Sequence, residues 1–127
     1  MENRYLYRGK TIGGSWVQGL LAHKDDKWYI SNKAGAPFAF EIRPESICQC
    51  TGIKDKNGTL IYENDIMEAH LDDKFPEDVT RTKVVWEKSG WVTSEPGAVD
   101  REPLDDFDTE NFEVVGTTFD NPELLEV

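Results

Sequence analysis

The chain has 127 residues, of which 38% are hydrophobic and 11% aromatic, enough for a compact core without disulfide support. It carries 14 basic and 25 acidic side chains, a formal charge of −11. The apolar residues fall in short clusters, none near the roughly 18 residues of a membrane-spanning helix, which excludes wholesale disorder and a transmembrane segment. The first four residues lack the apolar stretch of a signal peptide, so we expect a cytoplasmic protein without membrane contact.

The first half of the chain shows the period-two alternation of β-strands, interrupted by glycine. The alternation predicts strands at residues 4–8, 16–22, 28–30, 38–42 and 47–51. The charged residues 24–27 connect the second and third of these as a hairpin. Pro44 ends the fourth predicted strand and Gly52 the fifth.

The second half continues the same pattern. Asn57-Gly58 is the strongest turn signal in the chain and predicts a hairpin that resumes at residues 60–62. Further strands are predicted at residues 65–71, 82–87, 91–93 and 112–119.

The connections of the second half are polar. Lys88-Ser89-Gly90 is predicted to be a tight turn, and residues 94–110 a long connection with a single helical turn near residues 104–107. Asn121, as N-cap, and Pro122 after it predict a short helical turn at the end.

These elements predict a mainly β fold. Short antiparallel hairpins form an N-terminal sheet packed on a small SH3-like barrel, with one short C-terminal helical turn. Because no low-complexity linker interrupts the chain, we expect a single domain, 1–127. A division of this domain into two subdomains, hairpins at 1–60 and an acidic barrel at 61–127, is left open.

The charge is uneven along the chain. Residues 1–63 hold nine basic and seven acidic side chains, whereas residues 64–127 hold five and eighteen. Because such acidity repels phosphate backbones, direct nucleic-acid binding by the second half is disfavoured. The acids either keep the protein soluble or bind a basic partner. The candidate partner-binding residues are the loop acids Asp72, Asp73, Asp105, Asp106 and Asp108.

The two cysteines, Cys48 and Cys50, lie on one face of a predicted strand. A zinc site needs four ligands, and here a second cysteine pair is absent and His23 and His70 are isolated in sequence. A disulfide between positions i and i+2 of a strand would be strained. We therefore predict two buried thiols without a metal.

The sequence contains no motif that indicates catalysis. The chain has no Walker loop, Rossmann glycine fingerprint or nucleophile elbow, and its paired acids fall in predicted loops where exposure is the default. We predict that the protein is not an enzyme and uses no cofactor. A Mg²⁺-dependent hydrolase acting through loop carboxylates is a weaker alternative.

Four tryptophans raise the question of base stacking, which also needs a basic groove. Trp86 and Trp91 lie in the acidic half, where we predict packing in the core or at the barrel mouth. A nucleic-acid interpretation stays open only for the other pair, which has lysines nearby: Trp16 and Trp28, beside Lys24, Lys27 and Lys33.

Residues 47–66 read ICQCTGIKDKNGTLIYENDI. This segment resembles the hallmark of the YopX family of phage and prophage proteins, which combines Gln, an aromatic residue, Thr-Gly, a Lys-Asp-Lys-Asn-Gly turn and Tyr-Glu-Gly-Asp-Ile. Further similarities are spread along the chain: Arg8-Gly9-Lys10, Trp16-Val17, Val84-Val85-Trp86-Glu87, Phe112-Glu113-Val114-Val115-Gly116 and Asn121-Pro122-Glu123-Leu124-Leu125.

Two positions depart from that pattern. Cys50 replaces an aromatic residue, and Asn64 replaces Gly at a turn that asparagine can also adopt. The motif itself is typical of turn chemistry: Gly52, Asn57 and Gly58 set backbone dihedrals, while the apolar side chains of the segment, Tyr62 and Ile66, pack.

The resemblance implies a mostly β fold, a phage or prophage origin and residence in the bacterial cytoplasm, and it carries no assigned catalytic residues. We therefore expect a non-enzymatic accessory protein that binds a basic host or phage protein through its acidic second half. The alternative is an inhibitor that imitates DNA charge and occupies the groove of a host enzyme. Self-association stays open.

Overall fold

The computed structural model describes residues 5–31, 39–72, 74–75, 77–87, 90–97 and 101–126. Over these residues the chain is mainly β, as predicted, with two antiparallel sheets and one short α-helix, α1 (Asp106–Asn111). The strands are β1 (Tyr7–Lys10), β2 (Trp16–Lys24), β3 (Lys27–Ser31), β4 (Phe40–Ile42), β5 (Cys48–Lys54), β6 (Leu60–Tyr62), β7 (Asp65–Ala69), β8 (Thr80–Glu87), β9 (Gly90–Ser94), β10 (Glu102–Pro103) and β11 (Glu113–Thr117).

The chain divides into two compact units, Met1–Gly52 and Ile53–Val127. The boundary lies inside β5, because this strand does not stop at Gly52 as the sequence predicted. Gly52 has a φ of 80°, which glycine adopts without strain, and the strand runs on to Lys54. No helix of the described residues is long and apolar enough to cross a bilayer.

In the first unit, neighbouring strands follow the order β4-β3-β2-β1-β5. The predicted hairpin of β2 and β3 is confirmed, and it turns through Asp25 and Asp26. Both residues have positive φ, 53° and 63°, as a two-residue type I′ turn requires. Thr11, the residue after β1, forms an isolated antiparallel bridge with Ile42, so the chain after β1 lies beside the end of β4.

Gly9 of β1 lies where this unit is most tightly packed. It is buried, and a Cβ at this position would overlap the Cγ2 atom of Ile42 and contact the Cδ1 atom of Ile30 at 3.5 Å. Both isoleucines are almost fully buried, so neither can move into solvent. Position 9 therefore requires glycine for space rather than for backbone dihedrals.

We expect Gly9→Ala to lower the free energy of unfolding by about 1–3 kcal/mol, because the added methyl group overpacks the core of the first unit. The matched control is Gly13→Ala, where the nearest atom to a Cβ is the Thr11 hydroxyl at 3.8 Å. Urea denaturation of both variants provides the measurement. Equal stabilities of the two variants would contradict the packing argument.

In the second unit, neighbouring strands of the larger sheet follow the order β10-β9-β8-β7-β11, and all pairs are antiparallel. One face of this sheet carries the apolar core, onto which Trp91 and Leu104 pack. The buried members of the core are Ile61, Met67, Ala69, Val84 and Phe112.

The closed SH3-like barrel expected for this half was wrong, because the sheet stays open. Edge strand β10 has only two residues, and Pro103 is one of them. Proline lacks the backbone N–H that a further ladder would use. The loop after β5 engages the residue just before the other edge strand, β11, since the Lys56 N–H donates to the carbonyl of Phe112 at 3.1 Å.

Most predicted elements of the second unit are present within one or two residues of their expected bounds. The predicted hairpin around Asn57-Gly58 is confirmed between β5 and β6. The predicted turn at Lys88-Ser89 lies outside the described residues, as do Arg4 and Phe38 of the predicted strands in the first unit.

The predicted helical turn at the end is confirmed as a 3-10 turn, Pro122–Leu125, with Asn121 at the N-cap position. The side chain of Asn121 does not cap the turn, contrary to expectation. Its Oδ1 atom instead accepts from the Thr117 N–H at 3.2 Å, which ties the turn to the end of β11.

Candidate functional site

The charge asymmetry of the sequence coincides with the two units. The first unit, Met1–Gly52, has seven basic and five acidic side chains, whereas the second, Ile53–Val127, has seven and twenty. The units therefore have net charges of +2 and −13. Electrostatic attraction of a basic partner would thus come from the second unit.

Three carboxylates of the second unit are buried and engaged by backbone amides: Asp55, Asp65 and Asp108. Asp65 accepts from the Tyr62 N–H at 2.7 Å across the turn between β6 and β7. Buried carboxylates of this kind stabilise backbone turns and cannot reach a partner protein.

Asp55 makes three of these contacts and lies in the Lys-Asp-Lys-Asn-Gly turn. Its Oδ1 atom accepts from the N–H groups of Asn57 at 2.8 Å and Thr59 at 2.9 Å. Its Oδ2 atom accepts from the Val114 N–H at 2.8 Å. One side chain therefore holds the hairpin turn and joins it to β11.

Of the five acids predicted to bind a partner, two hold the beginning of α1. Asp105 accepts from the N–H groups of Phe107 and Asp108 at 3.1 and 3.4 Å, while Asp108 accepts from the Asp105 N–H at 3.1 Å. This reciprocal pair is a capping box, and it buries Asp108.

Burial raises the pKa of Asp108 above its ordinary value of 3.8. The hydrogen bond from the Asp105 N–H opposes this shift, whereas the nearby charges of Asp105 and Glu102 add to it. The charged form of Asp108 is therefore disfavoured in the folded chain.

The remaining predicted acids are more available. Asp106 is exposed on α1, and Asp72 is exposed after β7, where its Oδ1 atom accepts from the Lys74 N–H at 2.9 Å. Asp73 lies outside the described residues. We use the name acidic surface for the exposed acids of the second unit: Asp72, Glu77, Asp78, Glu95, Glu102, Asp105, Asp106, Glu110, Asp120, Glu123 and Glu126.

Exposed aromatic side chains also occur in the second unit, among them Trp86 and Phe107, and the sequence did not predict binding by either. Trp86 is 56% exposed, so of the two positions predicted for it the core is excluded, and its ring contacts Trp91 edge to face with centroids 5.0 Å apart. Phe107 on α1 is 54% exposed and contacts Phe112 in the same manner. Exposed aromatic residues of this kind are common anchors of protein interfaces.

Side chains that could bind a metal ion do not cluster within the described ranges. No group of three or more His, Cys, Asp and Glu side chains there is arranged to hold a metal ion. Cys48 and Cys50 are free thiols and fully buried, as the sequence predicted. A shallow groove of about 270 Å³ lies beside Arg81, whose guanidinium is already paired with Glu68 at 3.0 Å.

Comparison with known proteins identifies the family to which the chain belongs. The sequence profile described as YopX protein matches residues 10–126, so the chain belongs to the YopX family. The fold is similar to the crystal structure of protein EF1440 from Enterococcus faecalis, with a TM-score of 0.61, 19% identity and coverage of 96% of this chain and 97% of that one. No curated protein matches the sequence.

The segment that carried the resemblance has a structural explanation. Asn64, which stands where the family usually has Gly, has a φ of 69° and so keeps the left-handed turn between β6 and β7. Tyr62 and Ile66 are buried, as expected. At the Asn57-Gly58 turn the positive φ falls on Gly58, at 82°, and the Asn57 side chain donates to the Glu113 Oε2 atom at 2.8 Å.

We expect Asp55→Ala to lower the free energy of unfolding by about 2–4 kcal/mol, because three backbone N–H groups lose a charged acceptor. Asp55→Asn should cost less, since one oxygen is retained. The control, Asp78→Ala, removes an exposed loop carboxylate and should change stability by less than about 0.5 kcal/mol. Similar losses for Asp55→Ala and Asp78→Ala in chemical denaturation would refute this role.

We also expect Asp108→Asn to become more stable than the parent protein as the pH rises. Because the folded chain holds the Asp108 proton to higher pH than the unfolded chain, the contribution of this residue is greatest below 3.8 and is lost as the pH rises through the raised pKa. Asparagine avoids that loss and can still accept from the Asp105 N–H.

The measurement is urea denaturation of both proteins between about pH 3 and about pH 7. The stability of the variant minus that of the parent should increase with pH. A difference that is constant or decreases with pH would show that the charge of Asp108 is not disfavoured by folding.

Proposed function

We propose that this YopX-family protein is a non-enzymatic accessory protein of a phage or prophage, and that it binds a basic protein through its acidic surface in the cytoplasm of a bacterial host. The observation that carries this proposal is the separation of charge between the units. Among the residues of the second unit that the structure describes, eleven acidic side chains are exposed against four basic ones, Lys54, Lys56, Lys74 and Arg101.

The carboxylates of the second unit fall into two groups, those that hold backbone turns and those that are exposed, and this difference supports the proposal. Asp55, Asp65 and Asp108 are engaged in holding turns, so their presence is explained by the fold. Asp106 and Glu110 of α1 have exposed side chains that a partner can reach. Phe107 lies on the same helix and adds apolar contact area, and Trp86 adds more on β8.

Such a combination suits an interface in which charge accelerates association and aromatic anchors slow dissociation. Long-range attraction between oppositely charged surfaces raises the association rate and weakens with salt. Burial of an exposed indole ring supplies affinity that salt screens little. The two contributions can be separated experimentally.

The test is capture of host proteins from a bacterial lysate on the immobilised full-length chain, followed by elution with increasing salt. We expect a basic protein to be enriched and to be released as the salt concentration rises. Asp106→Asn with Glu110→Gln should shift its release to lower salt, and Trp86→Ala should reduce the amount retained. The matched control, Asp25→Asn with Asp26→Asn, removes two charges from the first unit. It should change neither the salt concentration of release nor the amount of protein retained.

Competition with duplex DNA distinguishes the two binding interpretations. If the captured protein is a nucleic-acid enzyme and duplex DNA displaces it, the acidic surface acts as a DNA mimic. If duplex DNA has no effect, the surface is an ordinary protein-binding site. Capture that ignores both salt and the acidic substitutions would disprove the proposal.

A further inference from the structure

The first unit has a sheet face of opposite character to the acidic surface. Gly9 faces the buried Ile30 and Ile42, so the side chains of Arg8 and Lys10 lie on the other face of β1. The strand register pairs Lys10 with Trp16 of β2, which places the tryptophan on that same face.

Both cations lie against the indole ring. The Arg8 guanidinium carbon is 5.0 Å from the centroid of the Trp16 ring, and the Lys10 ammonium nitrogen is 5.6 Å from it. These distances are in the cation–π range. Two cations and one large aromatic surface are thus held together on a rigid hairpin rather than on a loop.

The same face continues across β2 and β3 with more positive charge. The register pairs Ala22 with Tyr29 and Lys24 with Lys27, and both lysines are exposed. Acids are also present here: Asp25 and Asp26 form the exposed turn between the two lysines, and the Glu41 Oε1 atom lies 3.9 Å from the Lys27 ammonium nitrogen. We use the name basic face for Arg8, Lys10, Trp16, Lys24, Lys27 and Tyr29.

We propose that the basic face binds single-stranded nucleic acid. Cations spaced along a sheet can follow a phosphate backbone, while Trp16 and Tyr29 offer rings on which unpaired bases stack. Duplex DNA presents no unstacked bases to such rings. The chemistry therefore selects a flexible strand over a duplex, and it does not depend on the partner of the acidic surface.

The charge distribution makes this binding compatible with an acidic chain. The expectation against nucleic-acid binding concerned the acidic second half, and twenty of the 25 acids belong to the second unit. The first unit is net positive. Binding should be strongest at low salt and should weaken as salt is added, with a shallow slope of log K against log salt because few cations contribute.

The experiment measures fluorescence anisotropy of labelled poly-dT and poly-rU strands of about 15 nucleotides with the full-length chain, starting near about 20 mM salt. Inorganic polyphosphate and a duplex of equal length serve as competitors. We expect the single strands to bind, to quench tryptophan fluorescence and to be displaced poorly by either competitor.

Variants assign the binding to the basic face. Trp16→Ala should weaken binding roughly five- to 150-fold, and Trp16→Phe should keep most of it. Lys10→Gln should reduce the slope of log K against log salt by about 0.7. Thermal melts show whether each variant is folded. If Trp16→Ala is unfolded, the binding measured for Trp16→Phe and Lys10→Gln tests the proposal instead.

Trp86→Ala is the matched control, since it removes an exposed tryptophan from the second unit and should leave strand binding unchanged. The same variant should weaken capture of a basic protein, so the two proposals fail independently. Three results would overturn the inference: no binding at low salt, displacement by polyphosphate as efficient as by an unlabelled strand, or equal affinity of folded Trp16→Ala and the parent chain.

Discussion

The carboxylate of Asp55 is the contact on which the architecture of the second unit depends. It binds amides of its own turn and the amide of Val114, which is 59 residues further along the chain. The adjacent backbone bond from Lys56 to Phe112 fixes the point where α1 ends and β11 begins. Because Phe112 belongs to the buried core, a polar contact in a turn determines how the apolar core is completed. This explains why a turn motif is the most recognisable part of the sequence.

Local features were predictable from sequence because they depend on residues close together. The turn through Asp25 and Asp26 and the left-handed Asn64 follow from short-range backbone preferences. The pairing of Asp55 with Val114 could not be predicted, since nothing near either residue identifies the other. Trp86 shows a related limit. It lies two residues from the buried Val84 and therefore on the same face of the sheet, but it is exposed because the exposure of a side chain also depends on which residues cover it.

The acids illustrate why a count of charges is a poor guide to a binding site. Asp105 and Asp108 were predicted to bind a partner because they are acidic and lie in a loop region. They form the capping box of α1, an arrangement that requires acceptors at these two positions and buries one of them. Asp106, between them, is exposed. Neighbouring residues of one type thus have different roles, which the direction of each side chain decides.

The course of β5 limits how the protein can be dissected. The boundary between the compact units falls at Gly52, within a strand that continues to Lys54, rather than in a loop. Cleavage there would cut an extended strand, whereas exposed loop tips are the preferred sites of proteolysis. Proteolysis should therefore spare this junction while the native fold persists.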